Sequence, residues 1–209
     1  RRQRQMCIRD RVLSGRQKDA IRQYVRMHTD KPEELYQIYH AMIRGENYKA
    51  ETLEVLMEEG QPVIKIAGNE IRAAFEQLKD FVQKLILLTE RTLPLGSVVE
   101  VDIRELKLET EKPVSSIKVV IVDRFMKKET EKQYVPYCGI IYPFGDSKKQ
   151  LFFTEQAIHT VIHYGYTDRQ EDAYVALIKR EIIKKGYGSY SFAEAEDDKI
   201  RMLQSDINL

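Results

Sequence analysis

The sequence contains no tryptophan, only two cysteines and no excess of charge of either sign. Lys and Arg together number 34 against 33 Asp and Glu, which leaves a net charge of +1. Nucleic-acid-binding domains usually carry a basic excess, so this balance indicates that the partner is not a nucleic acid. Cys7 and Cys138 lie far apart and form no CxxC motif. That spacing excludes the disulfide framework typical of small secreted domains.

Long hydrophobic runs are also missing. No stretch approaches the roughly 18 apolar residues that a membrane-spanning helix needs, and no signal peptide is recognisable. The composition, with 43% hydrophobic and 32% charged residues, is typical of a globular protein with a well-solvated surface. We therefore expect a cytoplasmic protein of one large or two small domains.

Residues 1–11, RRQRQMCIRDR, are rich in arginine and carry no helical apolar stripe. Two interpretations are open. The segment is either a non-native or disordered extension, or a basic arm for nucleic acid or an anionic membrane. We favour the first interpretation.

Residues 12–92 show helical signals and are predicted to form a helical module. Pro32 and Glu33 favour a helix start, and Gly45 a helix end. A further helix is expected from a cap at Asn47 to Gly60, followed by a short strand or extended link over Val63–Ile66.

The broadest apolar face in this module belongs to a helix predicted to begin at Asn69. Its apolar residues recur every three to four positions, so they share one side of the helix. This face either packs on the preceding helices or binds a helix of another protein. The candidate partner-binding residues on it are Phe75, Leu78, Phe81, Val82 and Leu85.

From residue 93 the hydrophobic period changes to two, which predicts a β-rich module with a C-terminal helix over residues 93–188. Strands are expected to open at Val98, to cross the centre of the sheet near Ile121, and to continue over residues 134–142, 151–153 and 159–164. Tyr134, on an edge strand, is a further candidate partner-binding residue because edge strands offer unpaired backbone groups.

The last helix is predicted to start at a cap on Asp168 and to end at Gly186. We expect its apolar face to comprise Ala173, Tyr174, Leu177, Ile178 and Ile182. Lys179, Arg180, Lys184 and Lys185 are expected to form a solvated helix end. The tail, residues 189–209, is expected to be loosely ordered. The predicted fold class is α+β: an N-terminal helical module, then a small antiparallel sheet or open barrel with a C-terminal helix.

Few residues suggest chemistry. His159 and His163 have the spacing of paired metal ligands on a helix, but their apolar neighbours favour a strand, on which four residues span about 13 Å. We therefore predict no metal site. Cys138 is expected to be a buried small residue; as a nucleophile it would need a base, which only His159 or His163 could supply. We predict no catalytic residue, no cofactor and no enzymatic activity.

The strand of residues 134–142 allows an alternative function. Tyr134, Tyr137 and Tyr142 lie along it, and Phe152 and Phe153 follow soon after. Aromatic side chains on a small barrel can stack on the bases of single-stranded nucleic acid. The competing interpretation is that these side chains form core and one half-exposed face.

Four motifs of the β-rich module occur in the order of a known family. The first three are Leu93 to Val99, an isoleucine–valine strand over Val120 to Arg124, and a tyrosine-rich strand over Tyr137 to Gly145. The fourth comprises Phe152, Phe153, Ile158, Gly165 and Tyr166. Over about residues 93–185 the chain resembles the domain-of-unknown-function family 4176, which occurs in type VII secretion loci of Gram-positive bacteria.

The resemblance implies an accessory protein for secreted toxins that carry an LXG-type targeting domain. Such a protein would be a non-enzymatic cytoplasmic adaptor or chaperone that binds the toxin targeting domain or another small helical secretion factor. A helical module suits this role, because a partner helix can insert side chains spaced three and four residues apart into an apolar groove.

Overall fold

The computed structural model describes residues 13–103, 115–128, 130 and 132–192. The chain divides into two compact units that meet in sequence between Arg91 and Thr92. Residues 1–11 lie outside the described residues, as does the tail from residue 193 onward. Helices and antiparallel sheets occur together, so the predicted α+β class is confirmed.

Over residues 13–91, the first unit combines three helices with a four-stranded meander. The helices are α1 (Gly15–Met27), α2 (Glu33–Arg44) and α3 (Phe75–Thr89); the strands are β1 (Tyr48–Lys49), β2 (Leu53–Glu58), β3 (Gln61–Ile66) and β4 (Asn69–Ile71). The strands pair in sequence order and antiparallel throughout. Gly45 ends α2 in the left-handed conformation at φ 69°, as predicted.

The helix predicted from Asn47 to Gly60 is wrong, because this segment forms β1 and β2. The side-chain oxygen of Asn47 does not cap a helix but accepts a hydrogen bond from Met57 N at 2.7 Å. Glu59 and Gly60 both have positive φ, 50° and 77°, as a two-residue type I′ hairpin turn requires. Gly60 therefore lies in the turn of a hairpin that leads into β3, and of the two alternatives for Val63–Ile66, a short strand or an extended link, the strand is the one that forms.

Helix α3 begins later than predicted. Asn69 lies in β4, where its side-chain amide donates to the carbonyls of Ile66 and Ala67 at 3.3 and 3.1 Å. Ala67 and Gly68 form a second turn with positive φ, 48° and 74°. The helix starts at Phe75, and the Gln77 side chain accepts from Ala74 N at its first turn.

In the part of the second unit that the structure describes, a six-stranded sheet is accompanied by one long helix. Its strands are β5 (Val98–Asp102), β6 (Ser116–Lys128), β7 (Gln133–Ile141), β8 (Gln150–Phe153), β9 (Ile158–His163) and β10 (Gly188–Ser189). The strands pair in the order β10-β7-β6-β5-β9. Strand β8 also pairs with β7, at residues 137–140, a part of β7 that β10 does not cover. The predicted central position of the strand around Ile121 is confirmed, since β6 pairs with β5 and with β7.

Two short 3₁₀ turns, Glu155–Ala157 and Tyr190–Phe192, flank the last helix, α4 (Arg169–Lys185). Asp168 caps α4 by accepting from Gln170 N and Glu171 N at 2.9 Å each, and Gly186 ends it at φ 72°, as predicted. Gly188 and Ser189 pair with β7 in parallel, so Ser189, the first residue of the expected loose tail, belongs to the sheet. One face of the sheet forms a core around Val99, Ile121, Tyr137 and Phe153.

Among the described residues, none of the helices combines the length and apolar content needed to cross a bilayer.

Candidate functional site: an interaction surface

Leu93, at the start of the second unit, is held in position by two side chains of the sheet. Leu93 N donates to the hydroxyl oxygen of Tyr137 at 3.1 Å, and Leu93 O accepts from Arg124 Nη1 at 3.3 Å. Tyr137 is buried and stacks on Phe153 with ring centroids 5.7 Å apart. Both polar backbone groups of buried Leu93 are therefore hydrogen-bonded, as burial requires.

Arg124 also joins the sheet to the first turn of α4. Its guanidinium forms two hydrogen bonds with the carboxylate of Glu171, of which Nη2–Oε2 measures 3.1 Å. The side chains of Arg124 and Glu171 are only 3% and 19% exposed. Paired, bidentate contacts of this kind set orientation as well as binding energy. Phe125, the next residue, has φ 55°, so β6 bends directly beside this contact.

A third contact holds in position the segment that connects β9 to α4. Gly165 N donates to Ser97 Oγ at 3.0 Å, and the Ser97 hydroxyl donates to Pro94 O at 2.7 Å. A Cβ on Gly165 would lie 2.0 Å from Leu95 O and 2.9 Å from Ser97 N. Only glycine allows the two backbones to approach this closely.

Large apolar side chains are exposed around this junction. Leu95 is 48% exposed, Ile162 48%, Tyr164 47% and Tyr166 81%. We call these four residues the aromatic patch. Backbone hydrogen bonds hold the chain on either side of Leu95 and at Gly165. Large exposed apolar residues on two segments whose backbones meet at Gly165 and Leu95 are the kind of feature that marks a protein–protein interaction site.

The exposed face of α4 differs from the predicted one. Ala173, Tyr174 and Leu177, expected in the core, are exposed, whereas Lys179, Ile182 and Ile183 are buried. The predicted solvated cationic cluster is therefore wrong for Lys179.

Lys179 belongs to a partly buried polar cluster with Glu155, Ser189 and Ser191. Ser191 donates to Glu155 Oε2 at 2.8 Å, and Ser189 donates to Ser191 at 2.9 Å. Burial raises the pKa of the Glu155 carboxyl, although Ser191 and Lys179 act in the opposite direction. The cluster joins the two 3₁₀ turns, since Gln156 Nε2 also donates to Ser191 O at 3.2 Å.

Most of the residues predicted to bind a partner are core residues. Leu78 and Val82 are 0% exposed, Leu85 2% and Tyr134 4%. The three α3 residues pack within their own module, which is the alternative interpretation of this face. Tyr134 lies in β7, where it pairs with Lys127 of β6 and with Ser189 of β10. Phe75 and Phe81 are half-buried, and their role in binding stays a prediction.

Cys138 is completely buried in the middle of β7, as predicted. Burial, with a smaller effect of the Asp123 charge, raises the pKa of its thiol to about 12. His159 and His163 lie exposed on β9, which is three strand spacings from β7 along the sheet, or about 14 Å. Neither histidine can therefore act as the base for Cys138. Within the described ranges, no three His, Cys, Asp or Glu side chains gather where they could share a metal ion.

The aromatic platform proposed for nucleic acid does not form. Tyr134, Tyr137 and Phe153 are buried, and only Tyr142 of the three strand tyrosines is exposed, at 55%. Bases cannot stack on rings that already pack in the core, so the alternative prediction of a nucleic-acid-binding strand is wrong.

The first unit contains a polar cluster that the sequence analysis missed. Tyr24 stacks on His28 with ring centroids 4.0 Å apart, and His28 Nε2 lies 3.9 Å from a carboxylate oxygen of Glu34. Burial, followed by the nearby Glu34 charge, raises the pKa of Tyr24, so its phenol stays protonated. The contacts join the end of α1 to the start of α2.

Comparison with protein families agrees with the resemblance. Residues 92–174 match the model of a family described as "Domain of unknown function (DUF4176)". The match covers less than half of the chain, and it contains Leu93, Arg124, Tyr137 and Gly165 together with the aromatic patch. The predicted family resemblance of the second unit is thus confirmed. Comparisons with curated proteins and with solved structures gave no match.

Proposed function

We propose that this protein is a cytoplasmic adaptor or chaperone that binds an LXG-type toxin before its export by type VII secretion. The observation that carries the proposal is the aromatic patch of Leu95, Ile162, Tyr164 and Tyr166, exposed on the segment that matches the family model.

The physical argument rests on the contrast between this patch and its surroundings. Leu93 is buried two residues before exposed Leu95, and Val161 packs against the core immediately before Ile162. Leu95 and Ile162 thus remain exposed to water although core residues lie one or two positions away in the sequence. Tyrosine suits such a surface because it gives a large contact area with a polar tip, and it is enriched at interfaces.

The proposed partner follows from the family resemblance. Families of this kind are encoded beside LXG toxins, and binding of the toxin in the cytoplasm requires a protein-binding surface rather than a catalytic site. Export from the same cell that makes the toxin would explain why an adaptor binds it without cleaving or modifying it.

Co-expression tests the proposal. The chain is produced with the LXG targeting domain encoded next to its gene, and the complex is isolated through a tag on the targeting domain. We expect the two proteins to co-purify in a fixed ratio. Absence of association between the folded wild-type chains would refute the proposed function.

A matched pair of variants tests the patch itself. Tyr166 and Phe144 are both 81% exposed, so substitution of either should leave the fold intact. Tyr166→Ser is expected to weaken binding about tenfold or more, as loss of an aromatic anchor does, and Phe144→Ser is expected to bind as the wild type does. Equal binding by both variants would place the contact elsewhere.

A further inference from the structure

Helix α4 presents a second, chemically different surface. Arg169, Ala173, Leu177, Arg180 and Lys184 recur at intervals of three or four residues, so their side chains share one side of the helix. All five are exposed, and Leu177 is 56% exposed. The opposite side, with Ile182 and Ile183, is buried. We call this exposed side the α4 face.

The charge on the α4 face has one sign. Arg169 lies at its N-terminal end and Arg180 and Lys184 at its C-terminal end, with the small residues Ala173 and Ala176 and the apolar Leu177 between them. Two of the three acidic residues of α4 are engaged away from the face: Glu171 binds Arg124, and Glu181 lies 3.4 Å from Lys127 Nζ. The third, Asp172, is exposed on the flank of the face, three residues from Arg169. The face itself therefore carries Leu177 between cations at both ends, and only its C-terminal pair, Arg180 and Lys184, has no exposed acidic residue of α4 on its flank as Arg169 does.

We propose that the α4 face binds an amphipathic helix of the partner whose apolar stripe is bordered by Asp or Glu. This inference rests on the proposed function and adds to it the chemistry that the partner must carry. The acidic residues would pair with Arg169, Arg180 and Lys184, while apolar side chains of the partner cover Leu177.

The dimensions of the face favour a helix as the occupant. From Arg169 to Lys184 it extends about 22 Å, or four helical turns. Ala173 and Ala176 leave shallow positions beside Leu177, into which side chains of a second helix can pack at the usual interaxial distance of about 8–10 Å. A partner helix would contact such a surface with its side chains at positions i, i+3, i+4 and i+7.

Experiment can separate the apolar contribution of the α4 face from its charged contribution. The probe is the co-expressed LXG targeting domain, and its affinity for the purified chain is measured by titration at about 50 mM and about 500 mM salt. We expect Leu177→Ser to weaken binding about tenfold at both salt concentrations, since the burial of apolar surface does not depend on the screening of charges. We expect Arg180→Glu combined with Lys184→Glu to weaken it about tenfold at low salt and much less at high salt.

Matched controls use exposed residues elsewhere. Leu88, 40% exposed on α3, is replaced by Ser, and the exposed Lys148 and Lys149 are both replaced by Glu. Both control proteins should bind as the wild type does. Ala173→Glu adds an acidic group to the face without removing a contact of the fold, and should also weaken binding.

The outcomes distinguish the two proposals. Wild-type binding that none of the α4 substitutions changes would overturn the α4 face and leave the adaptor function standing. Failure of the wild-type chain to bind the targeting domain would overturn both. If the chain sediments as a dimer that Leu177→Ser converts to a monomer, with no change in binding of the targeting domain, the face joins two copies of this chain and the inference is wrong.

Discussion

Arg124 is a charged side chain that folding removes almost completely from water. Its guanidinium is compensated by the Glu171 carboxylate and by the carbonyl oxygen of Leu93. A buried ion pair contributes little compared with a well-packed apolar pair, but loss of one partner leaves an uncompensated charge. Arg124 therefore positions α4 and the Leu93 segment, and its removal affects both.

Substitution of Arg124 tests this role. Arg124→Met should lower the free energy of unfolding by about 3 kcal/mol, because Glu171 and Leu93 O both lose their donor. Arg124→Lys keeps the charge but cannot form the bidentate contact, so a smaller loss is expected. Urea denaturation followed by circular dichroism measures both variants. A change of less than about 1 kcal/mol in Arg124→Met would show that the contact is dispensable.

Cys138 shows how burial, with a smaller effect of the Asp123 charge, decides the chemistry of a residue. With a pKa of about 12, roughly one thiol in ten thousand is ionised at pH 8, against about a quarter for an ordinary cysteine. The thiolate is the reactive form, so the folded sheet protects this residue from alkylation. Burial of Cys138 could be predicted from the sequence, because this residue lies in the middle of a run that favours a strand.

At the level of elements, five of the six described strands of the second unit could be predicted, because each is an apolar or alternating run that ends in turn residues; β10 was not predicted. The first unit was harder. Residues 47–60 place Leu53, Leu56 and Met57 at helical spacing, and the same run places Leu53 and Val55 on one side of a strand. The Glu59–Gly60 turn resolves the ambiguity, since its two positive φ angles commit the chain to a hairpin.

The exposed side of α4 was not predictable for a related reason. Along α4, Tyr174 and Leu177 are the natural core residues by composition, and Lys179 the natural surface residue. The reverse holds because Lys179 interacts with partly buried Glu155 and because Arg124 holds Glu171 against the sheet. Both partners are distant in sequence, and periodicity along a single helix carries no information about them.

The connection between β9 and α4 depends on one glycine. In Gly165→Ala the new methyl group would meet the Leu95 carbonyl, so the two backbones must separate. We expect a loss of about 1–3 kcal/mol in stability and weaker partner binding, because the aromatic patch lies on both segments. Thermal unfolding and the co-purification assay measure the two effects.

Gly188→Ala is the matched control for this substitution. Gly188 has open space around its Cα and no positive φ, so its stability should change by less than about 0.5 kcal/mol. Equal stability of Gly165→Ala and Gly188→Ala would contradict the close approach at Leu95.

At the level of the whole molecule, the residues of the family pattern are largely those that build the second unit. Tyr137 and Arg124 fix Leu93, Gly165 fixes Ser97, and Phe153 stacks on Tyr137. A pattern of this kind specifies a framework, whereas binding specificity resides in the side chains displayed on it. This division explains how a family match can predict the fold of the unit without defining a reaction.

The second unit should fold without the first. It has its own core and its own sheet, so a fragment of residues 92–209 is expected to unfold cooperatively. Cys138 is the only cysteine in this fragment, and its reaction with a thiol reagent at pH 8 reports on folding directly. We expect the reaction to be roughly a thousandfold slower than in denaturant, and equally slow in the full chain carrying Cys7→Ser. A fragment whose thiol reacts at once would show that the sheet requires the first unit, and that the framework set by Leu93, Arg124 and Tyr137 is insufficient to hold it.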